Sequence, residues 1–235
     1  MTTTEIIKAL QEYGNEQTKA THMTHGAKEP LFGVRVQDLK KILKKTKKNH
    51  ELSLELYATG NSDAMYLAGL MADEKQITKE QLENWVDKAY WAYLSEYAVP
   101  WVAAETAYGF ELGLKWIESD KETVASAGWG TLAYYAAVNE DEKLDIKIYI
   151  ELLDRVKKEI HSAQNRVRYT MNGFVIAVGT YIESLTEKSK EVAMEIGKVR
   201  VDMDGTACKV PFADAYIDKA INKGRIGKKR KTARC

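Results

Sequence analysis

Cysteine and proline are scarce: two and three residues respectively in a chain of 235. Cys208 and Cys235 could close at most one disulfide, and a bridge to the last residue would constrain little. The sequence therefore predicts two reduced thiols and a cytoplasmic protein that relies on its core. With only Pro30, Pro100 and Pro211 present, most of the chain is open to uninterrupted helix. Long apolar runs are absent too. The most apolar stretches, Ala127 to Val138 and Phe174 to Ile182, fall far short of the ~20 residues a membrane span requires. The opening residues lack the basic start and apolar core of a signal peptide, and Thr2 with Glu5 predicts a capping box instead. This reads as a soluble chain with no membrane partner. The 45% apolar content and balanced charge exclude disorder. At this length, folding buries roughly 70% of the extended-chain surface, so no metal or cofactor is needed as a staple.

An excess charge of one sign is also missing: 35 Lys and Arg face 34 Asp and Glu, a formal charge of +1. That total argues against a polyanionic partner only until charge is mapped by position. Between Gly224 and Cys235 lie Arg225, Lys228, Lys229, Arg230, Lys231 and Arg234, with no acidic residue. The body before them carries the acidic excess. A second basic cluster, Lys40, Lys41, Lys44, Lys45, Lys47 and Lys48, follows Arg35. By segment the molecule is polarised.

What is abundant is apolar residues at three- and four-residue spacing, which predicts helices throughout and no strand. Val36, Leu39, Ile42 and Leu43 form one stripe with lysines on the opposite face. Helix pairs are predicted to open near residues 51, 78, 109, 143 and 186, steps of 27 to 43 residues. Helix pairs recurring at such steps are the signature of an all-α solenoid with a concave face able to wrap a rod-like partner. An irregular bundle would share the same helices. The reading is one domain over 1–223 followed by a basic tail, 224–235, kept flexible by two glycines.

Most local motifs have bland explanations. His22 and His25 lack a third ligand at suitable spacing. Asp202-x-Asp204-Gly205 has no closing acid at the calcium-loop position, where Ala213 stands. Gly224-x-x-Gly227-Lys228 lacks the Walker spacing. The Lys40–Lys48 run is either a phosphate-binding or a solvated face, and the tail is either a nucleic-acid contact or a solubilising end. The aromatic segment Tyr90 to Trp101 reads first as a core stripe. Trp91, beside the small residues Ser95 and Ala98, can line a groove or pack against the next helix pair.

Several stretches in order resemble the AlkD-like DNA alkylation repair family of HEAT-like repeat proteins. They are Phe32-Gly33-Val34-Arg35-Val36-Gln37-Asp38-Leu39-Lys40-Lys41, Met65-Tyr66-Leu67-Ala68-Gly69-Leu70-Met71, Tyr90-Trp91 with Val99-Pro100, and Trp116-Ile117-x-Ser119-Asp120. Asn172-Gly173-Phe174-Val175 and the basic ending fit one branch. The resemblance implies a C-shaped HEAT-like solenoid, monomeric, whose concave face grips double-stranded, possibly alkylated DNA. Active relatives excise N3- and N7-alkylated purines without drawing the base into a pocket. A cationic base leaves readily, so the protein's task is to stabilise positive charge on the sugar with a carboxylate and tryptophan faces.

Carried over residue by residue, the match departs at its centre. Trp91 stands at the catalytic tryptophan's place, but Ser95 occupies that of the catalytic Asp, with Glu96 next to it. On a regular helix Glu96 points about 140° from Trp91. One extra residue before Val99-Pro100, taken up by a π-bulge, would rotate it towards the cleft. Tyr90 and Phe174 are expected in the substrate cleft. Arg35, Lys40, Lys44, Arg166, Arg168, Lys228, Lys229, Arg230 and Lys231 are expected on the DNA backbone. Three readings remain open: a glycosylase using Trp91, Glu96 and Ser95; a DNA-binding solenoid with little or no excision; and a protein-binding solenoid.

Overall fold

The structure is a computed structural model describing residues 1–206 and 208–235. Among these residues every regular element is helical. Three helices, α1 (Thr3–Glu12), α2 (Glu16–Thr24) and α3 (Val36–Thr46), precede five pairs. The pairs are α4 (His50–Ala58) with α5 (Ser62–Met71); α6 (Lys79–Lys88) with a π-helical turn (Tyr93–Ala98) running into α7 (Val99–Ala104); α8 (Gly109–Trp116) with α9 (Glu122–Val138); α10 (Ile146–Glu159) with α11 (Asn165–Tyr181); and α12 (Thr186–Ile196) with α13 (Ala213–Asn222). This is the α-solenoid expected from the periodicity. No described helix is long and apolar enough to cross a membrane.

Helix starts follow local chemistry. Thr2 and Thr78 close capping boxes with Glu5 and Gln81, and Asn15, Asn49, Asn61 and Asp145 accept from orphan backbone N–H groups. The second helices of successive pairs, α5, the π-turn with α7, α9, α11 and α13, lie side by side as one inner layer. Their close approach depends on small residues. A Cβ on Gly69 of α5 would sit 2.8 Å from the Cβ of Ala98. Two apolar clusters form the interior: one from α1 through α8, the other from α9 through α13, meeting at the α8–α9 pair.

The Phe32-Gly33-Val34-Arg35 stretch has a structural explanation. Buried Asp63 on α5 accepts from three consecutive backbone N–H groups, those of Phe32 at 2.6 Å, Gly33 at 3.1 Å and Val34 at 2.9 Å. Gly33 sits at φ +74°, and a Cβ there would lie 2.4 Å from the Lys19 nitrogen. Only glycine fits that turn.

The basic tail is not the flexible end expected from its glycines. It runs as a strap across the C-terminal ends of four inner-layer helices. Gly227 donates to Thr180 and Arg230 to the Ala137 carbonyl. Lys229 Nζ donates to the carbonyls of Ala136 (3.0 Å) and Tyr181 (2.7 Å) and pairs with Asp141 at 2.6 Å. One ammonium thus caps the last turns of both α9 and α11, where helix dipoles favour a cation. Further on, Ala233 N donates to Glu105 at 2.7 Å, and Arg234 reaches both Glu74 and Glu105 at 3.3 Å. Ala233 is fully buried and belongs to the N-terminal apolar cluster. The chain end therefore clips the two halves together.

Candidate functional site

The π-turn carries the residues singled out in the sequence. Widening the helix at Tyr93–Ala98 turns Glu96 inward, towards α11, where its carboxylate meets Arg166. The contact is bidentate, with Nε to Oε1 at 2.6 Å and Nη2 to Oε2 at 2.7 Å. The Glu96 side chain is 2% exposed and that of Arg166 20%. The guanidinium also lies over the Tyr169 ring at 4.6 Å. Burial raises the Glu96 carboxyl's pKa, and the hydrogen bonds and charge of Arg166 work against that rise. For Arg166, burial disfavours the charge, yet Glu96 keeps its pKa above the ordinary value. Both carboxylate oxygens are occupied by a held cation.

Trp91 and Ser95 are similarly committed. Trp91 is 4% exposed, donates from Nε1 to Ser62 Oγ at 2.9 Å, and stacks on Tyr93 with centroids 4.6 Å apart and planes 13° from parallel. The His22 ring approaches both of them, at 5.4 and 5.2 Å. Ser95 Oγ donates to the Trp91 carbonyl at 3.1 Å. Tyr90 spends its hydroxyl on the Lys28 carbonyl at 3.0 Å. The core-packing reading of the aromatic stripe therefore accounts for Trp91 as well.

Two cavities flank the Glu96–Arg166 pair. The first, about 310 Å³, lies between α9 and α11 and has Glu96 at its edge. The second, about 490 Å³, is lined by Tyr90, Trp91, Ser95 and Arg166. On its rim His25 stands 4.0 Å from Asp204 and 3.9 Å from the Cys208 sulfur. Tyr97 and Tyr169 border both cavities. The structure thus places Trp91 and Glu96 on different cavities, with Arg166 between them. Phe174 requires a correction. It is fully buried, stacked 5.8 Å from Tyr149 and edge-on to Trp129, because α11 turns Gly173 and not Phe174 towards the first cavity.

The expected backbone contacts divide as sharply. Arg166 is held by Glu96, and Lys229 by Asp141 and two helix-end carbonyls, so neither is available to phosphate. Arg168 is half-buried, its Nη2 3.5 Å from Asn165. Lys40, Lys44, Lys228 and Lys231 are exposed, as is Arg35, the N-terminal flank of α3. Arg230 is partly buried and lines the first cavity.

Sequence reading missed a cationic groove of about 590 Å³ lined by Lys219, Lys223, Arg225, Lys228 and Arg230, with no carboxylate among its described lining. It adjoins the first cavity, sharing Ile176, Thr180, Tyr181 and Arg230 with it. Lys219 in the last turn of α13 and Lys223 at its C-terminal cap lie four apart, which was a readable signal; that the strap brings Arg225, Lys228 and Arg230 alongside was not. Burial raises the Tyr134 hydroxyl to about 12 and pushes Tyr97 and Tyr169 upward too, so these cavity tyrosines stay neutral and can both donate and accept.

Comparison with known proteins adds to this geometry. The family described as DNA alkylation repair enzyme matches residues 6–188. A Listeria innocua protein, Lin0241, and a Listeria monocytogenes protein, Lmo0209, are each 36% identical over 225 residues, covering 93% of this chain and 97% of each relative; both are described as uncharacterized. A solved structure is 37% identical with a TM-score of 0.91 and full coverage of both chains. It is described as representing a new family of proteins related to the HEAT-like repeat DNA glycosylases, with affinity for branched DNA structures.

Proposed function

The chain belongs to the DNA alkylation repair enzyme family, and from that premise we propose that it is a DNA-binding HEAT-like repeat protein that holds the double-stranded arms of branched or distorted DNA and excises no base. The observation that carries this reading is the bidentate Glu96–Arg166 pair. A glycosylase needs negative charge where the sugar becomes positive. Here the one carboxylate turned inward by the π-turn has a guanidinium on both oxygens, and Ser95 supplies no charge. Trp91, stacked on Tyr93, offers little open face for a cationic base. The groove of five cations supplies a surface suited to a phosphate backbone, and the branched-DNA affinity of the 37% identical neighbour supports a junction as the partner.

The test has two arms. In fluorescence anisotropy the full chain is expected to bind a three- or four-way junction more tightly than a linear duplex, with affinity falling steeply as salt rises. In single-turnover incubation with methylated duplex DNA, no 7-methylguanine or 3-methyladenine release above background is expected. Enzyme-dependent release lost in Glu96→Gln would instead establish the excision reading. Absence of salt-sensitive binding to any DNA would remove both in favour of a protein partner.

A further inference from the structure

We propose that the cavity between α9 and α11 receives a single unstacked nucleobase of the bound DNA strand, while the adjoining cationic groove holds that strand's phosphates. The inference rests on the DNA-binding reading and names what the site beside Glu96 takes. Its helical lining is small at helical spacing: Gly130, Ala133 and Ala137 on α9, and Gly173 and Ala177 on α11. A Cβ built on Gly173 meets nothing within 4 Å, so this glycine leaves open space and relieves no clash. Tyr97, Tyr134 and Tyr169 add aromatic rings to a lining that also carries Glu96, Thr170 and Thr180. A cleft with small residues on its helices and aromatic rings beside them can admit a planar ring, and its volume of about 310 Å³ lies at the small end of the roughly 300–1,000 Å³ typical of ligand sites. The neutral tyrosine hydroxyls and Arg230 can meet the ring's polar edge without demanding one base identity.

The charge arrangement favours a DNA strand over a free nucleotide. Arg230 lines both the slot and the groove, and Lys219, Lys223, Arg225 and Lys228 line the groove with it. One phosphate group would leave most of these cations unused, whereas successive backbone phosphates would meet them in turn. A branch point also provides bases that are already unpaired or poorly stacked, for which extrusion costs least. Base stacking on aromatic side chains contributes enough to be seen as an affinity change of about tenfold or more.

The experiment is photocrosslinking with 5-iododeoxyuridine placed at the branch point of a three-way junction, with sites located by mass spectrometry of the full chain. Crosslinks are expected at Tyr97, Tyr134 or Tyr169. Gly173→Leu, which fills the slot from a helical position without a clash, is expected to keep or raise the melting temperature while reducing crosslinking about tenfold. Crosslinks confined to surface tyrosines such as Tyr216, or yields undiminished in Gly173→Leu, would overturn the base slot and leave DNA binding standing. Crosslinking of 5-iodo-dUMP alone at the same tyrosines with equal yield would overturn the assignment to a DNA strand. Wild-type protein that shows no salt-sensitive junction binding would refute the underlying reading itself.

Discussion

Helix α3 and the C-terminal strap are both short segments dense in lysine or arginine, yet the fold uses them in opposite ways. On α3, Lys41 pairs with its own helix through Asp38, and Lys40 and Lys44 stand exposed on the polar face, while Lys48, just past the helix, reaches Glu74. In the strap, Lys229 is 9% exposed with three oxygen partners, and Arg234, 10% exposed, joins Glu74 and Glu105. A cation placed over helix C-termini and buried acids becomes a structural clip. The same cation on a helix's wet face remains available to a phosphate. Charge density in a sequence therefore locates neither function, and Arg166, buried on Glu96, is the limiting case of a cation the fold has consumed.

That contrast can be tested by removing cations of each kind. The largest effect is expected from Arg166→Ala, which leaves the Glu96 carboxylate buried without its partner. Breaking such a pair costs about 3–5 kcal/mol, read as a shifted urea midpoint with the slope unchanged. A change below about 1 kcal/mol would mean that Glu96 gains water or protonates at little cost, and would weaken the case that it is sequestered.

Deleting residues 225–235 comes next. At about 1 kcal/mol for each, the strap's three main-chain hydrogen bonds, from Gly227, Arg230 and Ala233, alone correspond to about 3 kcal/mol, or roughly 6–12 °C in Tm at this chain length. DNA affinity should fall as well, since Arg225, Lys228 and Arg230 go with it. A deletion that weakens DNA binding but leaves Tm unchanged would return the tail to the flexible arm its composition predicts.

Exposed cations should separate by location. Replacing Lys219 and Lys223 by alanine is expected to leave stability within about 0.5 kcal/mol and to lower the salt dependence of junction binding by up to about 0.9 for each phosphate the protein no longer neutralises. Lys40→Ala with Lys44→Ala, outside the groove, is expected to change that slope less. Equal slopes for the two double variants would extend the DNA interface onto α3.

The smallest effect concerns pH. Burial opposes ionisation of Glu74, but the hydrogen bond from Lys48 and the charges of Arg234 and Lys48 outweigh it, so its folded pKa lies below the ordinary value. A depressed carboxylate contributes stability that is present above the unfolded pKa of about 4.5 and is lost as pH falls through the folded value. Protection of the Ala233 amide against hydrogen exchange should therefore decline on acidification below that range while core amides of α9 hold. Protection that survives to about pH 3 would show that the strap is anchored by other contacts.

Much of the fold was legible because the signals are local. Helix pairs and the capping box of Thr2 with Glu5 each depend on a few neighbouring residues. The π-turn was legible as one residue too many before Val99-Pro100. Its result was not, because the partner of Glu96 lies 70 positions away on α11. Phe174 was misplaced for a related reason: the family resemblance points to a cleft-lining turn of α11, but the helix's rotation against Tyr149 and Trp129 decides that Gly173 faces the opening. The strap failed differently. Glycines at 224 and 227 look like flexibility, whereas their positive φ values of +58° and +71° let the chain bend back onto the inner layer.

By itself the sequence determined that this protein is an all-helical solenoid, since apolar periodicity and capping act over one or two turns. It also determined that Ser95 stands at the expected Asp's position, with the carboxylate, Glu96, one residue further along the chain. Only the tertiary structure decided that this carboxylate is held by Arg166, that two of the tail's six cations, Lys229 and Arg234, are spent on helix ends and acidic side chains, and that an open slot adjoins cations left over. Those outcomes depend on which distant groups share one low-dielectric space, and a buried charge takes its character from that neighbourhood, not from its place in the chain.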